Sequence, residues 1–242
     1  MQIEKIKGII VKDTNYSESS KILNLITEDK GMIGIISKGC RNYKSKLRSV
    51  SCKLTYGYFY VNYKENSLSN LIEVDVIDEF KSIKTDLKKI GYTTYLVDLA
   101  MQVMKQNEQI KIFNILEDAL IKIENNFDPA LITNIVELKY LPYLGVGPVL
   151  DKCSICGTQK NIITINSDAG GYVCQNCYTS EYVADQKTIK LLRMFEVLDI
   201  SKIKELNVLD KNKREINKFL EDYYQKYTGL YLKSKDFLSQ IK

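Results

Sequence analysis

Short runs of alternating apolar and polar residues fill the first third of the chain. A period of two places apolar side chains on one face of a strand, and the Gly-, Asn- and Ser-rich stretches between runs are typical of turns. Five runs have this character, at 3–13, 21–28, 31–39, 54–63 and 67–78. They predict a small antiparallel barrel or sandwich, and Gly57 inside the fourth run predicts a bulge or a barrel corner.

Beyond residue 80 the apolar positions recur every three to four residues, which is the period of an amphipathic helix. This pattern predicts helices at 91–106, 110–126, 128–145, 185–199 and 212–232. Asp128 suits the N-cap of the third helix and Pro129 its first position, while Pro142 predicts a kink or an end. Together the two patterns predict an α+β protein, with a strand domain at 1–80 and a helical domain at 81–242.

A cysteine-rich segment at about 150–180 interrupts the helical pattern. Two Cys-x2-Cys pairs, separated by seventeen residues, are formed by Cys153, Cys156, Cys174 and Cys177. Each pair can point both sulfurs into one turn, and two such turns supply the four corners of a tetrahedral zinc site. The residues between the pairs predict a hairpin that brings them together.

The chemistry of this site follows from its four thiolates. They saturate zinc and leave no position for water, so we expect one structural ion rather than a catalytic one. A thioredoxin-like redox role is disfavoured, because it normally uses a single dithiol in a βαβ setting. Cys40 and Cys52 have no partners at ligand spacing, and we expect them to be small buried residues.

Composition excludes several other functions. The 242 residues include no histidine, which excludes Ser-His-Asp and Cys-His nucleophile systems. No apolar run is long enough to span a bilayer, and the first 20 residues lack the apolar core of a signal peptide. We therefore expect a cytoplasmic protein with reduced thiols and no membrane partner.

The positive charge of the chain is concentrated in one segment. Residues 30–64 hold eight of the 35 basic residues and none of the 30 acidic ones. The candidate DNA-binding residues are Lys38, Arg41, Lys44, Lys46, Arg48 and Lys53. Basic groups neutralise phosphates, and aromatic rings such as Tyr43 and the tyrosines of 54–63 can stack on unpaired bases. The alternative is a solvated loop, and alternate strand tyrosines must face the barrel core.

Signatures of catalysis are missing from the sequence. There is no Gly-x4-Gly-Lys-Ser/Thr phosphate loop and no Gly-x-Gly-x-x-Gly after a predicted strand. No carboxylates cluster at the spacing of a two-metal nuclease. The residues therefore indicate a nucleic-acid-binding protein that is not an enzyme.

Three stretches resemble the RecO family of bacterial DNA repair and recombination mediators. Residues 27–49 are similar to its strand–turn–strand and basic loop, and residues 223–238 to its final helix. In 140–157, a Leu-Gly-x-x-Pro lead precedes Cys-x-x-Cys-Gly, which is the most specific match. The resemblance covers the whole chain. Cys40 stands where the family more often has alanine, and not all members keep the zinc cysteines.

The resemblance implies a fold and a function. The strand domain would be an oligonucleotide-binding (OB) fold, and the helical domain would carry the zinc module and protein contacts. The protein would bind single- and double-stranded DNA and anneal complementary strands without ATP. With RecR it would help to load RecA onto DNA coated by single-strand-binding protein, engaging that protein's acidic C-terminal tail. It would be associated with the bacterial nucleoid.

Three further interpretations of the residues stay open. In a zinc-ribbon transcription or translation factor, the zinc module itself would touch nucleic acid. Residues 153–177 disfavour this, since they hold one basic residue, Lys160, and one acidic residue, Asp168. The second interpretation is a zinc-stabilised nuclease, and the third is a pure protein-interaction adaptor.

Overall fold

The N-terminal strands close into a five-stranded barrel in the computed structural model of the protein. The structure describes residues 3–65, 67–107, 109–180 and 182–241. The strands are β1 (Ile3–Tyr16), β2 (Ser20–Thr27), β3 (Met32–Ser37), β4 (Tyr56–Asn62) and β5 (Ser69–Asp78). They follow the order β1-β2-β3-β5-β4, and β4 pairs with β1 to close the barrel. Five strands in this closed order form an OB-type barrel, so the barrel rather than the sandwich is correct.

A bulge lies in β5, opposite Tyr56 and Gly57 of β4, where Ile77 is the extra residue. The pairing of β4 with β5 shifts register between Tyr56 and Gly57. A Cβ atom at Gly57 would clash with the backbone of Asp75, so glycine allows the two strands to approach this closely. The sequence thus located the bulge correctly along the barrel, but the extra residue lies in β5, opposite Gly57, rather than in β4.

The described residues after the barrel contain seven α-helices. They are α1 (Lys81–Thr85), α2 (Leu87–Gln106), α3 (Ile110–Glu124), α4 (Pro129–Tyr140), α5 (Gln186–Val197), α6 (Asp210–Tyr227) and α7 (Lys233–Ile241). Asp128 caps α4 by accepting a hydrogen bond from the backbone N–H of Ala130, as predicted. Pro142 lies in the 3₁₀ turn Leu141–Leu144 that follows the end of α4. Among these helices, none is long and apolar enough to cross a bilayer.

The predicted helix over 212–232 is confirmed as far as Tyr227, but its predicted end is wrong, because a separate helix, α7, begins only at Lys233. Helix α6 ends at Tyr227, and Gly229 adopts a left-handed φ of +62°, which breaks the helical path. Helix α7 then packs against α2. Helix α1 was also missing from the prediction, because five residues are too few to show a helical period.

Two apolar cores meet at the barrel wall. Ile6 and Ile10 of β1 lie inside the barrel, whereas Ile9 packs in the core that the barrel shares with the helices. Successive strand residues face opposite sides, so one strand contributes to both cores. The side chain of Tyr56 points away from the barrel interior and stacks on Phe80, with 6.0 Å between the ring centroids. The barrel and the helical part are therefore packed against each other.

An ion pair and a hydrogen bond also connect the barrel with helix α3. Lys7 of β1 forms an ion pair with Glu117 of α3, with Nζ and Oε1 2.7 Å apart. Tyr56 donates its hydroxyl hydrogen to the same carboxylate. Burial lowers the pKa of Lys7, but hydrogen bonds to Glu117 and Glu28 outweigh it and raise the pKa well above its usual value. Lys7 therefore stays charged at the interface.

Candidate nucleic-acid interface and metal centre

The basic loop, residues 38–55 between β3 and β4, is anchored at several points. The backbone N–H of Arg41 donates to the carbonyl of Ser19 at 2.8 Å, which ties the loop to the β1–β2 turn. Deeper in the loop, the hydroxyls of Ser37 and Ser51 form a buried hydrogen bond of 2.8 Å. Lys21 donates to the carbonyl of Ser51 at 3.0 Å. These bonds hold the loop in one shape on the end of the barrel.

The six candidate DNA-binding side chains are presented together by this loop. Five are exposed, and Lys53 is half-buried. Within the described part of the chain, the ion pairs shorter than 4.0 Å involve none of the six. Cations that lack a carboxylate partner keep their full charge for an external anion. The loop is therefore a concentrated positive surface.

The aromatic side chains of β4, which follow the loop, alternate between the barrel interior and its outer surface. Phe59 points into the barrel, while Tyr58 and Tyr60 point outward. The ammonium group of Lys5 lies over both outward rings, 4.1 Å from the Tyr58 centroid and 5.6 Å from that of Tyr60. Tyr60 also donates its hydroxyl hydrogen to Asp75 at 2.8 Å. These two tyrosines are already engaged by protein groups.

The cysteine segment folds as a small sheet. Its strands are β6 (Val149–Cys153), β7 (Ile162–Asn166) and β8 (Gly171–Cys174), in the order β6-β8-β7. Strands β7 and β8 form the predicted antiparallel hairpin. Cys153 and Cys174 are the last residues of β6 and β8, and Cys156 and Cys177 lie in the turns that follow, so the sheet brings the two pairs together.

The four thiols have the arrangement of a closed metal site. Their sulfur atoms all lie within 4.8 Å of one another, and those of Cys156 and Cys174 are 3.6 Å apart. A tetrahedral ion with metal–sulfur bonds of about 2.3 Å needs sulfurs about 3.8 Å apart, whereas a disulfide needs about 2.05 Å. All six cysteines of the chain are free thiols. The donor set therefore fits a metal ion, and its four sulfurs fill a tetrahedron.

Electrostatics within the cluster also favours a cation. Burial raises the pKa of the Cys153 thiol, but backbone hydrogen bonds around Cys156, Cys174 and Ile155 outweigh it and lower the pKa to about 6. Hydrogen bonds with the neighbouring cysteines, above all Cys156, raise the pKa of Cys177 to about 12. Four sulfurs this close cannot all ionise unless a positive ion lies between them.

The cysteine module, residues 149–177, packs on the helical domain. Tyr172 of β8 is buried and donates its hydroxyl hydrogen to the carbonyl of Ile189 in α5. Asp168 forms an ion pair with Lys226 of α6. Tyr227 donates to the carbonyl of Ser167 at 2.8 Å. Asp168, the one acidic residue within 153–177, is thus paired with a lysine of the same protein.

The other two cysteines lie in the basic loop. Cys40 is buried, as expected, but Cys52 is only half-buried. The thiol of Cys52 donates to the carbonyl of Ser49 at 3.1 Å, which stabilises a loop turn. The expectation of a buried residue was wrong for Cys52, because the loop turns it toward its own backbone.

An acidic cleft, which the sequence did not reveal, lies between the barrel and the helices. The carboxylates lining this cavity of about 730 Å³ are those of Glu28, Glu117, Asp118, Glu196 and Asp199. Burial raises the pKa of Asp118 to about 6, and its neighbours Glu117 and Asp199 add to the effect. These residues come from separate segments and share no local pattern. Lys111 and Lys139 also line the cleft, so five carboxylates face two lysines, and this negative balance disfavours phosphate binding there.

Comparisons with known proteins agree with this architecture. The family model described as "Recombination protein O N terminal" matches residues 1–80, and "Recombination protein O C terminal" matches residues 84–236. A relative from Listeria monocytogenes serotype 4b (strain CLIP80459), called DNA repair protein RecO, is 34% identical over 247 residues, covering 99% of this chain and 95% of the relative. The protein of the same name from Bacillus pumilus (strain SAFR-032) is 32% identical over 244 residues, covering 98% of this chain and 94% of the relative.

The barrel lies within the N-terminal match, helices α2 to α6 and the four cysteines lie within the C-terminal match, and these relatives are called DNA repair proteins. This chain belongs to the RecO family.

Proposed function

We propose that this protein is a recombination mediator that binds single- and double-stranded DNA and anneals complementary strands without ATP. The observation that carries the proposal is the basic loop of the barrel. Its six candidate DNA-binding side chains, Lys38, Arg41, Lys44, Lys46, Arg48 and Lys53, have no carboxylate partner among the described residues. Two DNA strands repel each other through their phosphates, and a surface of unpaired cations lowers that repulsion.

Annealing by this route needs no nucleotide hydrolysis. Pairing of complementary strands is downhill, so a scaffold that neutralises charge and holds two strands close is sufficient. The proposed role is therefore not enzymatic. Such a protein would act in the cytoplasm, associated with the nucleoid.

The partners in this proposal follow from membership of the RecO family. With RecR, the protein would help to load RecA onto DNA coated by single-strand-binding protein, and it would engage the acidic C-terminal tail of that protein. Direct binding of a synthetic tail peptide and of purified RecR, each measured by calorimetry, tests this part of the proposal. A tail peptide with its acidic residues neutralised is the control.

We further propose that the four-cysteine cluster holds one zinc ion with a structural role. Cys153, Cys156, Cys174 and Cys177 supply four sulfurs, which matches the preference of zinc for thiolates in tetrahedral sites. When bound, the ion cross-links the two turns of the module and polarises no substrate. The zinc-ribbon interpretation receives no support from the module, since Asp168 and the buried Tyr172 face the helical domain.

The test of the function is strand annealing with purified protein. Complementary oligonucleotides are coated with single-strand-binding protein, ATP is left out, and the metal content of the same sample is measured. We expect fast annealing and about one zinc per chain. DNA binding without annealing would contradict the mediator role, and cleavage of labelled DNA with magnesium or manganese would indicate a nuclease instead.

A further inference from the structure

Tyr43 is unusual among the aromatic residues of the chain. Its side chain is 87% exposed, more than that of any other large apolar or aromatic residue in the described part of the chain. A tyrosine ring placed in water forgoes the burial that aromatic side chains normally gain. Within the same part of the chain, its hydroxyl has no hydrogen-bond partner that would explain the position.

The backbone beneath Tyr43 is ordered by its own turns. The N–H of Asn42 donates to the carbonyl of Gly39 at 3.1 Å, and the N–H of Ser45 donates to that of Asn42 at 3.1 Å. Cys40, three residues before Tyr43, is buried, and the backbone N–H of Arg41 ties the loop to Ser19 in the β1–β2 turn. The ring is therefore presented on a fixed support, so less conformational entropy is lost when a ligand stacks on it.

The surroundings of the ring suit a nucleobase with its phosphates. The guanidinium carbon of Arg48 lies 5.5 Å from the Tyr43 centroid, within cation–π range, and helps to orient the ring. Lys44 and Lys46 are exposed on the same loop. A flat aromatic surface surrounded by unpaired cations matches the combination that binds single strands, in which bases stack and phosphates meet positive charge.

The strand tyrosines do not offer an equivalent platform. Tyr58 and Tyr60 are half-buried beneath Lys5, and Tyr63 is half-buried beneath Lys30, 4.3 Å from ring centroid to Nζ. Arg48, by contrast, leaves the Tyr43 ring 87% exposed. Lys30 is itself paired with Glu4 at 2.8 Å. Asp75 at Tyr60 and Glu4 beside the cation over Tyr63 would repel phosphates from these two rings.

We propose that Tyr43 stacks on an unpaired base of single-stranded DNA and is the residue through which the basic loop distinguishes unpaired from paired strands. The inference rests on the proposed function of the loop. In a duplex the bases are stacked on each other and closed to the ring, so the loop can use only its cations there. In a single strand the ring and the cations act together, which favours unpaired DNA.

Binding by three substitution variants tests this inference. Fluorescence anisotropy is measured for an oligo(dT) strand, for a duplex, and for a strand of the same length with abasic sites throughout. The variants are Tyr43→Ala, Tyr43→Phe and a triple charge reversal (Lys44→Glu, Lys46→Glu, Arg48→Glu). Thermal unfolding of each variant checks that the fold is retained, which we expect because all four side chains are exposed.

We expect Tyr43→Ala to weaken oligo(dT) binding about tenfold, since stacking on one base contributes on this order. Binding of the duplex and of the abasic strand should stay within about twofold, and Tyr43→Phe should bind all three ligands like the unaltered protein. An equal loss on all three ligands, or no loss on oligo(dT), would overturn the stacking role. If the triple variant also keeps full affinity for every ligand, the proposed DNA interface itself is wrong.

Discussion

Lys235 of helix α7 forms an ion pair with Glu137 of α4, a carboxylate that is completely buried. Tyr95 of α2 donates its hydroxyl hydrogen to the same carboxylate at 2.5 Å, and the Lys235 ammonium group lies 4.8 Å from the Tyr95 ring centroid. The other carboxylate oxygen of Glu137 has no hydrogen-bond partner in the described structure. Lys235 is therefore the counterion of a buried charge, and it fastens the C-terminal helix to the helical core.

Loss of this counterion should destabilise the protein. Lys235→Met leaves Glu137 buried with Tyr95 as its remaining side-chain partner, and we expect the free energy of unfolding to fall by about 2–3 kcal/mol. Urea unfolding followed by circular dichroism measures the change. The double variant Glu137→Gln/Lys235→Met removes both charges and should recover at least half of the loss. A single variant as stable as the unaltered protein would show that α7 is not held by this pair.

Asp118 in the acidic cleft should make stability depend on pH. Burial raises its pKa from the usual value near 4 to about 6, so the folded state holds this proton more tightly than the unfolded state. Its contribution to stability is therefore greatest below about pH 4, falls as the pH rises toward 6, and stays low above that. Because the side chain is only half-buried, we expect Asp118→Asn to stabilise the protein at pH 7 by about 1 kcal/mol, and not at pH 3.5.

Unfolding midpoints in urea at pH 3.5, 5 and 7 check this expectation. The matched control is Asp222→Asn on the exposed side of α6, which should change stability little at any of the three pH values. A gain from Asp118→Asn that is the same at pH 3.5 and 7 would mean that the charge of the carboxylate is not the cause.

Removal of one cysteine should release the metal. Cys156 is the exposed member of the cluster, so Cys156→Ser changes core packing little but removes a ligand. We expect this variant to lose stoichiometric zinc and to unfold at a lower temperature, because metal binding contributes to the folding of such modules. Metal analysis and calorimetry measure both effects. Cys52→Ser is the control and should keep about one zinc per chain, since its thiol lies in the basic loop.

The positive loop should govern the salt dependence of DNA binding. Charge reversal at Lys44, Lys46 and Arg48 should weaken binding and reduce the slope of log affinity against log salt by about 2 to 3, since each phosphate contact contributes about 0.9. The control reverses three exposed lysines elsewhere, Lys88, Lys105 and Lys204, and so carries the same net charge. If both triple variants show the same slope, net charge rather than the loop is responsible.

Some features of this protein depend on residues close together in the chain, and these could be predicted. The Cys-x2-Cys spacing constrains each pair of thiols to one turn, so the close approach of the two thiols in each pair follows from the sequence. The β7–β8 hairpin and the Asp128 cap are local in the same way. The positive charge of residues 30–64 could be read directly from the sequence, because the segment holds eight basic residues and no acidic ones.

Other features were decided by the tertiary structure. Glu137 and Lys235 are 98 residues apart, and no local sequence pattern predicts that Glu137 will be buried with Lys235 as its counterion. The acidic cleft likewise joins carboxylates from distant segments. The barrel register turns Tyr58 and Tyr60 outward beneath Lys5, whereas the fold of the loop leaves Tyr43 exposed. Sequence thus determined the local geometry and the charge of each segment, whereas the environment of each side chain depended on long-range packing, which residue spacing does not encode.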